Sequence, residues 1–163
     1  MTQNKALAQY QPHALGLLRI VTAYLFVMHG TTKLFQFPYI EMFANVPVAS
    51  MFGAAGIIEL IGGGLLLLGL FTRPVAFVLS GQMAAAYFIG HVADGGNFLM
   101  PILNSGELAV QWCFTFLFFF VAGGGAFALD NLRGKPKTHC LLYTHTGRPF
   151  RVGLYAFYGL QTV

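Results

Sequence analysis

Charge is what this chain has least of. Only 9% of its 163 residues are charged, five Asp and Glu against nine Lys and Arg, where a typical soluble domain carries about 25%. A water-soluble fold must clothe its surface in polar side chains, so this scarcity excludes a soluble globular enzyme. Hydrophobic residues make up 56% and mean hydropathy is +0.67, which equally excludes a disordered chain. Cysteine is nearly absent: Cys113 and Cys140 by themselves make neither a disulfide scaffold nor a four-thiolate metal site. Phosphate loops are missing too, because neither Gly62-Gly63-Gly64 nor Gly123-Gly124-Gly125 is followed by Lys-Ser or Lys-Thr.

What is present is long apolar sequence. A helical span needs about 20 mostly apolar residues to cross roughly 30 Å of hydrocarbon, and four windows qualify: about 14–35, 51–71, 74–93 and 108–129. Membrane strands would alternate apolar and polar residues, and runs such as Leu65-Leu66-Leu67-Leu68 do not. The expectation is an all-α membrane protein, a four-transmembrane-helix bundle over residues 1–132 followed by a tail at 133–163. The first window contains Arg19 and ends near Lys33 without a clear cleavage site, so it reads as a retained helix and not a signal peptide.

Lys and Arg set the orientation, because short basic loops stay cytoplasmic. With the N-terminus inside, Lys5, Arg73, Arg133, Lys135, Lys137, Arg148 and Arg151 all face inward, and both termini are cytoplasmic. The tail is basic, has no Asp or Glu, and ends with Phe150, Tyr155, Phe157 and Tyr158. Such a tail is a topology signal and can hold anionic head groups of membrane lipids, at about 1 kcal/mol per Lys or Arg. No nucleic-acid partner is expected, since no recognisable binding module accompanies it.

Polar residues inside the windows carry the functional reading. A charge near a helix centre costs about 2.5–3.5 kcal/mol on translocon scales, so such residues face the bundle interior and mark either packing or function. Glu59 lies eight residues beyond Met51, about 12 Å below the outer boundary, too deep for a short side chain to reach water. Ala55, Gly56, Gly62 and Gly63 share its face and admit a neighbouring helix closely. An inner layer of Arg19, Arg73 and Asp130 reads as structural. An outer-half layer of His29, Lys33, Glu59, His91, Glu107 and Gln111 has the carboxylates, cation and imidazoles that a proton-coupled site needs. No metal is expected, because no pair among His29, His91, Glu59 and Glu107 has tight ligand spacing.

The set Leu18-Arg19-Ile20, His29-Gly30 followed by Lys33, Glu59-Leu60 with Gly62 and Gly63, and Leu68-Gly69-Leu70 through Arg73-Pro74 resembles the DoxX family of small bacterial membrane proteins. His91, Asn104, Glu107 and the stretch from Gly123 to Asp130 extend the likeness over roughly 12–132. The resemblance implies a multi-pass protein of the bacterial inner membrane. Some branches are similar to the membrane subunit of thiosulfate:quinone oxidoreductase, and others are linked to thiol and oxidant defence.

The leading expectation is therefore a quinone-linked redox subunit, a possible part of an oxidoreductase. Glu59, Glu107 and His91 are the catalytic candidates. Arg19, Lys33, His29 and Gln111 are the residues expected to bind a quinone as cofactor. No electron carrier is evident in the chain, so a soluble redox partner protein is implied, and homo-oligomerisation is allowed. The alternative is a non-catalytic membrane scaffold that recruits a cytoplasmic partner through its basic tail. A third reading, flux through an oligomer, has few helices to support it.

Overall fold

The structure is a computed structural model that describes residues 5–93 and 96–133. All regular structure among these residues is helical. The order is α1 (Lys5–Ala8), α2 (Gln11–Phe35), a 3-10 turn (Glu41–Phe43), α3 (Met51–Leu68), α4 (Thr72–Tyr87) continued by a π-turn (Phe88–Val92), α5 (Glu107–Ala122) and α6 (Asp130–Arg133). Three helical stretches, Gln11–Phe35, Met51–Leu68 and Thr72–Val92, are long and apolar enough to cross a membrane. This agrees with a membrane helical bundle. α5 is equally apolar but has 16 residues, about 24 Å at 1.5 Å per residue. The tail beyond Arg133, with Cys140 and its aromatic end, lies outside the described residues.

All four expected helices begin within three residues of the expected position, and the ends differ more. The fourth was expected to run to 129 and stops at Ala122. Its apolar run continues, but Gly123 and Gly125 take φ of +88° and +67°, a left-handed conformation that glycine adopts without strain and that ends an α-helix. The loop so formed folds back beneath the bundle, where the Ala126 N–H donates to Pro12 O at 2.7 Å. Gly69 ends α3 in the same way, with φ +66°.

The short connection 69–71 reverses the chain between α3 and α4, and with the 123–129 loop it defines one end of the bundle, the turn end. The longer segments 36–50 and 93–106 close the opposite, loop end. Between them Ala23 and Phe26 of α2, Leu66 of α3, Ala76, Leu79 and Met83 of α4, and Trp112, Phe116 and Phe119 of α5 form one buried cluster. The Phe26 ring meets Trp112 and Phe116 edge-on at 5.1 and 4.8 Å between centroids, a favoured aromatic geometry that ties α2 to α5.

Candidate functional site

At the loop end, α2 and α3 approach until their backbones nearly touch. A Cβ on Gly30 would lie 2.7 Å from the Leu60 nitrogen and 3.0 Å from the Gly56 oxygen, so only glycine fits and the two helices interlock. One turn further along each helix this contact brings Lys33 against Glu59. The Lys33 ammonium donates to Glu59 Oε1 at 2.5 Å, and the two side chains are only 10% and 3% exposed. From α4, Gln82 Nε2 donates to the same Oε1 at 3.2 Å and to Ala55 O at 3.3 Å. Both partners of that nitrogen are acceptors, which sets the orientation of the amide.

The cluster is not closed. Glu59 Oε2 and Gln82 Oε1 are buried acceptors without a hydrogen-bond partner, each a costly arrangement in an apolar surround. Phe43, from the 3-10 turn, sits over Lys33 with its ring centroid 5.4 Å from Nζ. It covers the ammonium from the loop end and gains a cation–π contact. Along the α3–α4 seam an apolar groove of about 470 Å³ runs toward the same level, lined by Ile58 and Gly62, which flank Glu59, and by Val78 and Leu79, one turn from Gln82.

The other expected site residues are dispersed. His29 is half-buried and packs edge-on against Trp112 at 4.9 Å. His91 lies in the π-turn with Nδ1 2.9 Å from Asn104 O and its ring stacked on Tyr87. The Tyr87 hydroxyl in turn donates to Phe98 O at 2.8 Å, so this group ties the 93–106 segment to α4. Glu107, in the first turn of α5, and Gln111, one turn on, are both exposed. Gln82 is the member that sequence reasoning left out of the site. Its signal was legible as an amide inside an apolar window, but nothing in the spacing told that it faces Glu59.

Arg19 belongs to the turn end. It is fully buried, and its guanidinium donates to Gly124 O at 2.8 Å, Leu66 O at 2.5 Å, Leu67 O at 2.7 Å and Phe127 O at 3.2 Å. Leu66 and Leu67 are at the C-terminus of α3, where carbonyls lack helical partners and the helix dipole favours a cation. Asp130 does the converse for α4, its Oδ1 and Oδ2 accepting from the Phe71 and Thr72 N–H groups at 2.8 Å each. Glu59 is seven residues from Leu66 on α3, about 10 Å along the axis, so Arg19 is held apart from the Lys33–Glu59 pair and spends its donors on backbone.

The sequence model of the DoxX family matches residues 14–92, a span that holds Arg19, Lys33, Glu59 and Gln82. An uncharacterized protein of Haemophilus influenzae is 51% identical over 126 residues, covering 77% of this chain and 94% of that protein. No solved structure matches the chain.

Proposed function

From the premise that this chain belongs to the DoxX family, we propose that it is a multi-pass protein of the bacterial inner membrane whose Lys33–Glu59–Gln82 cluster serves a quinone-linked redox reaction. In this reading α2, α3, α4 and the shorter α5 are the four spans, and both termini lie on the cytoplasmic side with the basic segments. The turn end is then cytoplasmic and the loop end faces outward.

The observation that carries the reading is the pair of leftover acceptors beside a buried cation. The reduced, quinol form of a head group with ring oxygens at opposite edges fits these groups: its hydroxyl would donate to Glu59 Oε2 or Gln82 Oε1, while Lys33 would donate to a ring oxygen. A quinone supplies two-electron, two-proton chemistry when bound. The chain's own residues do the rest. Glu59 takes or returns a proton at Oε2, Lys33 stabilises negative charge at the facing oxygen, and Gln82 holds the Glu59 carboxylate in place through Nε2. Desolvation by the surrounding bundle strengthens each of these interactions. The groove along α3 and α4 offers an apolar chain a place beside the head group. In this reading electrons come from a soluble partner protein.

The test is the lipid content of the protein purified in mild detergent, extracted and identified by mass spectrometry, with Glu59→Gln alongside. Quinone at near-stoichiometric yield, lost in the folded variant, supports the reading. Quinone no richer than in bulk membrane overturns it and favours a scaffold, for which deletion of 134–163 would abolish function while Glu59→Gln would not.

A further inference from the structure

The loop end has an unusual surface. Segment 37–43 and segment 97–105 together contain one charged residue, Glu41, yet they turn their apolar side chains outward: Phe37, Tyr39, Met42, Leu99, Ile102 and Leu103 are all more than 60% exposed, Met42 at 81%. Both segments lie at the same end of the bundle, since each joins one helix that arrives there to one that leaves.

Part of their backbone is paired within the loops themselves. In the second segment Met100 N donates to Asn97 O, Leu103 N to Met100 O and Gly106 N to Pro101 O, all within 3.1 Å. Leu99 N finds the Asn97 side chain at 2.9 Å, Gly106 N also finds that of Asn104, and Phe98 O receives the Tyr87 hydroxyl. In the first segment Phe43 N and Ala44 N donate to Ile40 O and Glu41 O at 3.0 Å, and Pro38 has no N–H. Irregular backbone loses less on entering the interfacial region where part of its polar groups is paired internally, and these loops combine such partial pairing with apolar side chains directed outward. α5 adds a measure of length. At about 24 Å it falls short of the roughly 30 Å of hydrocarbon, and the apolar stretch 98–103 immediately precedes it.

We propose that segments 37–43 and 98–103 lie in the head-group and acyl boundary of the leaflet at the loop end, with a phospholipid surface as their partner. Phe37, Tyr39 and Phe98 form an aromatic belt there, and the short α5 is completed by the submerged 98–103 segment. The inference rests on the membrane-spanning reading and is independent of quinone.

The full chain, carrying Cys113→Ser and Cys140→Ser, is labelled with a nitroxide at one of Met42→Cys, Leu99→Cys or Leu103→Cys and reconstituted in phosphatidylcholine–phosphatidylglycerol vesicles. Power saturation then compares collisions with oxygen and with a water-soluble nickel chelate, with Leu117→Cys on the exposed side of α5 as reference. The expected oxygen-to-nickel ratio at all three positions is lower than at Leu117, which lies about 15 Å further along α5, but still favours oxygen over nickel. A ratio dominated by nickel places the segments in water and overturns the proposal, as does poor access of both reagents, which marks cover by a protein partner or a second copy. A nickel-dominated ratio at Leu117 as well overturns the spanning reading itself. Where a labelled variant loses its thermal transition, Phe98→Trp with Trp112→Phe gives a second readout: quenching by brominated lipid supports the proposal, and quenching by iodide overturns it.

Discussion

The two ends of this bundle handle buried charge in opposite ways. At the turn end, Arg19 is met by four backbone carbonyls and Asp130 by two backbone N–H groups. Both charges are engaged with helix termini whose partial charges favour them. At the loop end, some 20 Å along α2 by helical rise, Lys33 and Glu59 engage each other, and two acceptor oxygens remain without a partner. The first arrangement is what a buried charge needs in order to be structural. The second leaves two buried acceptors unmatched, and the proposed function rests on that difference.

The comparison can be broken most forcefully at Arg19. Arg19→Met removes the guanidinium donors of the Leu67, Gly124 and Phe127 carbonyls and one of the two donors to Leu66 O, which keeps the Gly69 N–H, an expected loss of about 4 kcal/mol or more; a thermal melt in detergent should show a large drop or no cooperative transition. Removing one partner at the other end, with Lys33→Met, strands a buried carboxylate and is expected to cost about 3–5 kcal/mol in the same melt. The double variant Lys33→Met with Glu59→Leu sharpens the contrast. Replacing a whole buried pair by apolar side chains is often neutral or stabilising, so its melting temperature should return to near the parent's while bound quinone stays absent. A melting temperature that stays low in the double variant would mean that the pair is a fastening like Arg19.

Smaller effects follow. Gly30→Ala drives a methyl into the α3 backbone, an expected loss of about 1–3 kcal/mol, accompanied by weaker quinone retention as Lys33 is moved off Glu59. Glu107→Gln, on the exposed start of α5, should change stability by no more than about 0.5 kcal/mol and leave quinone content unaltered. A marked loss of quinone in Glu107→Gln would restore that carboxylate to the site and extend it to α5.

Much of the architecture was legible in the chain because lipid-compatible helices announce themselves by length and apolar content alone. The windows at 51–71 and 74–93 anticipated α3 and α4, and the depth of Glu59 marked it without any structure. The end of α5 was not legible, because Phe127 and Leu129 continue an apolar run and only the positive φ of Gly123 and Gly125 shows that the helix has stopped. The grouping of polar residues was legible only by depth. Depth correctly separates the level of Lys33 and Glu59 from that of Arg19, but it does not tell which way a residue faces around the bundle, so Glu107 and Gln111 were grouped with Glu59 although they are exposed and Gln82 completes the cluster.

The amino-acid sequence by itself determined that the chain is helical, where its apolar stretches lie, and that Arg19, Lys33 and Glu59 must find partners, since each is too costly to leave bare among apolar helices. Only the tertiary structure decided who those partners are. Contact between Gly30 and Leu60 sets α2 on α3, the seam of α3 with α4 brings Gln82 to Glu59, and the loop after α5 delivers carbonyls to Arg19. Hydrogen bonding is directional and acts within about 3 Å, so partnership is a property of packing that no single helix encodes.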